Sequence, residues 1–186
     1  MKVKPLLLIA LFTLFACSNL KNNTINEPYL PNNQTVNQVL AAIIELDSLS
    51  YDNELLKEFK NIKFYHPHFV DSLWIPPPPD GFYYDEVLVK FDPQSKEIRQ
   101  SDSIFLSKQS NTFNRYRIAD SICNKFQPES SHVYQFHVPI FSSDMKTVFI
   151  QYWEDCEAGC GRQYTCVLRW KEAKWALTDK WLSIIE

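Results

Sequence analysis

Residues 163–184 read QYTCVLRWKEAKWALTDKWLSI. A loop over Lys171–Lys174 sets Trp170 opposite Trp175, Leu168 opposite Leu177, Cys166 opposite Asp179 and Tyr164 opposite Trp181. One face of that hairpin is then aromatic and apolar. The other carries Arg169, Val167, Thr165 and Gln163 against Ala176, Thr178, Lys180 and Leu182. That face is mostly polar, as a hairpin with one buried side requires. Asp179 is out of place on the apolar side, which predicts a bulge or an early end to the pairing there. Upstream, residues 133–141 and 147–154 have strand character, and Ser142–Lys146 carries Ser-Ser-Asp, suited to a tight turn. The last third of the chain is therefore a four-stranded antiparallel meander.

The residues before it supply the helices. Thr35 is placed to cap a helix whose apolar positions Val36, Val39, Leu40, Ile43 and Ile44 recur at spacings of three and four. A short helical piece is expected at Glu54–Phe59, a half-buried strand at Tyr84–Phe91 with 87, 89 and 91 inward, and a short helix from Ser101 or Asp102 through Gln109. A further helix is expected over Asn114–Phe126, with the stripe Ile118, Ala119, Ile122, Cys123 and Phe126. Pro76–Pro79 and Asp80-Gly81 read as a stiff surface connector ending in a turn. The fold class is α+β: N-terminal helices packed on a C-terminal antiparallel β-meander.

Composition narrows function by exclusion. The 186 residues include three glycines, Gly81, Gly159 and Gly161, where average usage of about 7% predicts roughly thirteen. Neither a dinucleotide-binding turn nor a P-loop can be assembled from these three. Apolar residues at 45% and aromatics at 15% suffice for one core.

The N-terminus reads MKVKPLLLIALFTLFACSNL. Lys2 and Lys4 form a positive region, and Leu6–Ala16 an apolar run broken by Thr13. The run is shorter than the about 20 residues that span a bilayer and has the form of a signal peptide. Leu14-Phe15-Ala16-Cys17 resembles the lipobox of bacterial lipoproteins, with Phe15 bulkier than the usual residue there. The resemblance implies cleavage before Cys17 and acylation of its sulfur and amino group, an anchor strengthened by more than one chain. Ser18, in place of the aspartate that marks inner-membrane retention in many lipoproteins, implies the outer membrane, and the lack of an acidic cluster just after Cys17 implies that it faces the periplasm. Residues 1–16 are then a signal peptide, 17–34 a lipidated tether rich in asparagine, and 35–186 a single globular α+β domain. Cleavage removes two lysines, so 17 basic residues face 22 acidic ones and the mature charge is −5. That balance carries no footprint for nucleic acid and leaves the N-terminal lipid as the expected membrane contact.

Four cysteines remain after Cys17: Cys123, Cys156, Cys160 and Cys166. An even number in an exported chain predicts two disulfides with three connectivities. The preferred one is Cys156–Cys160 within the loop and Cys123–Cys166 between helix stripe and hairpin. Cys-x3-Cys matches neither the usual redox motif nor a standard zinc spacing, and no metal or cofactor is expected. With FHVPIFSSDMKTVFI before it, YWEDCEAGCGRQYTCVLRWKEAKW resembles the C-terminal segment of a group of bacterial lipoproteins. Their shared pattern is a PIF strand (here Val138–Phe141), a Cys-x3-Cys-Gly loop (Cys156, Cys160, Gly161) and a final K…W turn (Lys174-Trp175). The resemblance covers about the last fifty residues and implies no activity.

Other chemistry-bearing residues have plainer readings. His66-Pro67-His68 reads as a surface turn, and His132 and His137 fall on opposite faces of one strand. Glu154, Asp155 and Glu157 read as solvated loop carboxylates. Trp170, Trp175 and Trp181 read as core, with a protein- or glycan-binding aromatic row as the alternative. The functional expectation is a lipid-anchored envelope protein acting as a non-catalytic binding or structural module. The alternative is a small hydrolase or thiol-redox enzyme acting near the 156–160 loop.

Overall fold

The structure, a computed structural model, describes residues 29–65, 69–70, 73–74, 81–92, 99–156 and 161–185. Its centre is the meander: β8 (Thr147–Cys156), β9 (Arg162–Lys171) and β10 (Lys174–Ile185). β6 (His132–Phe136) and β7 (Ile140–Phe141) both pair antiparallel with β8, and β1 (Glu54–Leu55) joins parallel to β6. The six-stranded order is β1-β6-β8-β9-β10, with β7 on the free length of β8. Two small pairs stand apart: β2 (Lys63–Tyr65) with β5 (Gly81–Tyr83), and β3 (Phe69–Val70) with β4 (Leu73–Trp74). The helices are α1 (Asn33–Leu46), α2 (Tyr84–Phe91), α3 (Gln100–Ser110) and the single turn α4 (Asp120–Cys123). Fold class and the C-terminal meander are as the sequence predicts.

The last hairpin keeps the expected register at its tip. Trp170 faces Trp175 and Leu168 faces Leu177. The loop closes tighter than four residues: Lys171 and Lys174 already pair, leaving Glu172 and Ala173 at φ 50° and 60°. Two successive positive φ values are what a type I′ turn needs to match strand twist. A bulge falls between Leu177 and Asp179, at the position Asp179 marks in the sequence. Beyond it Lys180 pairs with Cys166 and Trp181 with Thr165, not with Tyr164. The one-residue slip moves Trp181 to the opposite face from Trp175.

That face is not left to solvent: Gln151, Gln163 and Thr165 on it are buried. Phe149 lies beneath it, T-shaped to Phe82 at 4.8 Å and to Trp181 at 6.1 Å. With Phe82 and α2 over Phe149, and α1 over the Tyr152 side, both sheet faces are covered, and every residue of Thr147–Tyr152 is buried. The expectation of one solvated face fails because it counted only β9 and β10.

Four local expectations are corrected. Tyr84–Phe91 is a helix: Val87, Leu88 and Phe91 are buried at helical spacing while Val89 is 47% exposed. Asp85 and Glu86 open that helix and Lys90 ends it, which suits the helix dipole. Glu54–Leu55 is a strand added parallel to Val133–Tyr134, not a helix. The cap of α1 is Asn32, whose Oδ1 accepts from the Thr35 N–H at 2.8 Å, so the helix begins before Thr35. Asn114–Phe126 is not one helix, because Tyr116 and Ala119 are extended. Its backbone is satisfied instead by α1 amides: Asn33 accepts from Arg117 N–H, and Asn37 bonds the Arg117 carbonyl and the Ala119 N–H. The stripe Ile118, Ile122, Cys123 and Phe126 is buried regardless. Pro76–Pro79 lie outside the described residues.

Candidate functional site

The densest buried chemistry gathers where α1 ends over the sheet. Tyr152 and Cys166 share the sheet face below, and the bulge brings Lys180 to the same side. Asp47 caps the C-terminus of α1, where the helix dipole disfavours a carboxylate. Two donors offset that. Lys180 Nζ lies 2.6 Å from Asp47 Oδ1, and the Tyr152 hydroxyl donates to Oδ2. The same ammonium stands 4.2 Å from the Tyr164 ring centroid, within cation–π range. Burial, then the bond to Asp47, pushes the Tyr152 phenol far above the usual tyrosine range. Burial raises the Cys166 thiol to about 12, with Asp47 adding to the shift and Lys180 opposing it. At neutral pH this sulfur is a thiol, the weak nucleophilic form.

The second sulfur sits elsewhere. Cys123 lines an open groove of about 580 Å³ with Leu55, Lys57, Phe126 and Pro128. Burial raises this thiol too, Asp120 adding to it and Lys57 opposing. Cys123 and Cys166 are both buried free cysteines, so the expected Cys123–Cys166 disulfide is not formed. The physical reason is lateral distance. Cys123 lies against the β1 end of the sheet and Cys166 on β9, with β6 and β8 between. Three strand spacings come to roughly 14 Å, twice the span a disulfide bridges. Cys17 and Cys160 lie outside the described residues, and of Cys156 only its place at the end of β8 is described. The expected Cys156–Cys160 pair therefore lies outside them too.

The tryptophans divide. Trp181 packs on Phe149 under Lys90, whose Nζ is 4.8 Å from the ring. Trp153 is half-buried over Gly161, where any Cβ would run into its ring. Trp175 is half-buried against Phe141, but Trp170 is 45% exposed at the hairpin tip, a correction to its core reading. His132 is exposed and His137 buried, and His66 and His68 lie outside the described residues. Glu154 accepts from the Tyr134 hydroxyl at 3.4 Å, and Asp155 is exposed. Among the described residues no cluster of three or more His, Cys, Asp or Glu side chains could hold a metal ion, and no helix is long and apolar enough to cross a membrane.

Sequence reasoning missed Asp47, Tyr152 and Lys180 as a unit. The available signal was Asp179-Lys180 in the middle of an otherwise apolar strand. No family model, curated protein or solved structure matches the chain.

Proposed function

We propose that the chain is a lipid-anchored protein of the bacterial envelope, cleaved before Cys17, whose folded part works as a non-catalytic binding or structural module. The observation that carries the reading is the N-terminal pattern: two lysines, an eleven-residue apolar run and Leu14-Phe15-Ala16-Cys17. The folded part supports it by how its buried charges are used. Asp47 is engaged by both Tyr152 and Lys180, joining the end of α1 to the outermost strand of the meander. The cluster's phenol and thiol are both held in their neutral forms, which suits a structural tie and not acid–base or thiol chemistry at neutral pH. Placement at the outer membrane follows from Ser18 after the acylated residue.

Metabolic labelling with a radioactive fatty acid tests this reading. The label is expected on the wild-type chain and absent from Cys17→Ser. Label that persists in the variant rejects Cys17 as the anchor.

A further inference from the structure

A run of contacts joins the point where the described chain begins to the exposed tip of the last hairpin. Pro31 precedes α1, and its carbonyl accepts from the Tyr116 hydroxyl at 2.9 Å. Tyr116 in turn meets Thr112 at 3.1 Å, and Thr112 bonds the Gln109 carbonyl. The Gln109 amide is fully buried and bonds both backbone groups of Phe141, at 3.0 and 3.1 Å. The Phe141 ring stands against Trp175, and Trp175 against Trp170 at 5.2 Å. An unbroken series of contacts thus ties the first described residues to the tryptophan pair.

Exposed aromatics and cations gather along this run. Tyr29, two residues before Pro31, is 70% exposed, and Trp170 is 45% exposed. Lys146, Lys171 and Lys174 are exposed around the tip, and the Trp170 N–H donates to the Lys146 carbonyl. Arg115 and Arg117 are exposed on either side of Tyr116. Against these five cations stand Glu172 and Asp144, the latter bonded by Ser142 and facing Arg99 at 3.6 Å. The whole mature chain is acidic, so this end reverses the sign of the molecule. Exposed tyrosine and tryptophan with lysine and arginine around them are the side chains that favour the headgroup layer of a bilayer.

We propose that this end of the domain, carrying Tyr29, Trp170 and the lysines of the hairpin tip, rests on an anionic phospholipid surface. The proposal rests on the reading that Cys17 is lipidated. Cys17 and Tyr29 lie twelve positions apart, a span of at most about 40 Å, so the anchor keeps this end near the bilayer. A short tether gives an effective concentration on the order of millimolar. A contact too weak to recruit the chain by itself then suffices to orient it. The tip adds direction to an attachment that the lipid supplies.

The test reconstitutes the full lipidated chain into vesicles of phosphatidylethanolamine and phosphatidylglycerol, with and without bromine-labelled acyl chains. Flotation and tryptophan emission are read on the same samples. The expected result is co-flotation together with quenching of roughly one to two fifths of the emission, the share of Trp170 and Trp175 among five tryptophans. Trp170→Phe should remove most of that quenching. Lys171→Glu with Lys174→Glu, changed on an exposed turn, should weaken it while flotation persists. A chain that floats unquenched overturns the proposal and leaves the anchor standing. If Trp170 is then shielded as protein concentration rises, the face belongs to a second copy. A chain that fails to float overturns the anchor and the proposal together.

Discussion

Asp47 is the position where one substitution should cost most. Its side chain is 9% exposed and takes two donors, the Tyr152 hydroxyl and Lys180 Nζ. In Asp47→Ala the phenol becomes a buried donor without its acceptor, at about 1–3 kcal/mol. The lost pair with Lys180 adds less, because that ammonium is one-third exposed; about 0–1 kcal/mol is its share. The sum is about 1–4 kcal/mol, which for a domain of this size lowers Tm by roughly 2–16 °C. Removing the Asp47 carboxylate also removes a charge that the helix dipole disfavours, worth about 0.3–1 kcal/mol in the other direction, so the lower half of the range is expected. Tyr152→Phe alone should cost about 1 kcal/mol, since Asp47 keeps Lys180. The informative quantity is the double variant. With the phenol already gone, Asp47→Ala no longer strands a buried donor, so the pair should cost at least about 0.5 kcal/mol less than the two singles added. Urea unfolding of the four proteins, followed by tryptophan emission, gives the cycle. Additive effects, or an Asp47→Ala within about 0.5 kcal/mol of wild type, would mean the contact is incidental.

Three further outcomes follow from the same structure. Ala173→Gly should raise stability by about 1 kcal/mol, because Ala173 sits at φ 60° where a Cβ is strained; no gain in thermal unfolding argues against the two-residue turn. Burial tends to raise the Asp144 carboxyl, but bonds from Ser142 and the Lys146 N–H, with Arg99 nearby, outweigh it and hold it below the usual carboxylate range. Its contribution is therefore present above the ordinary carboxylate value and lost as pH falls through the lower folded value. Asp144→Asn should cost under about 1 kcal/mol at neutral pH, the gap to wild type closing on acidification; a gap that widens in acid reverses the assignment. Thiol labelling without reductant should leave Cys123 and Cys166 unmodified in the native chain and label both after denaturation. Failure of either to label in denaturant shows that it is disulfide-bonded after all.

What the sequence made legible follows from how local its causes were. The β9–β10 register was readable because turn and pairing lie within twenty-odd residues, and one misplaced carboxylate, Asp179, marked the bulge. The far side of the sheet was not readable. Its cover comes from Phe82 and α2, far upstream of Phe149 in the chain. Tyr84–Phe91 satisfies both an alternating and a helical pattern, since Val87 and Phe91 belong to each; the exposed Val89 is what separates them. The Asp47 cluster escaped for a third reason. It joins residues 105 positions apart, and its Lys180 faces Tyr152 only because the bulge flips the strand beyond Leu177. The free thiols are the same lesson in reverse: parity of cysteines counts pairs, but two strands, β6 and β8, lie across the path from Cys123 to Cys166.

The central claim is that this domain is held to a membrane through Cys17. Mass spectrometry of the N-terminal peptide from membrane-extracted protein tests it most directly. The account predicts a peptide that begins at Cys17 and carries a diacylglycerol on sulfur and an acyl chain on the amino group. A mature chain that begins elsewhere, or a Cys17 without lipid, contradicts it.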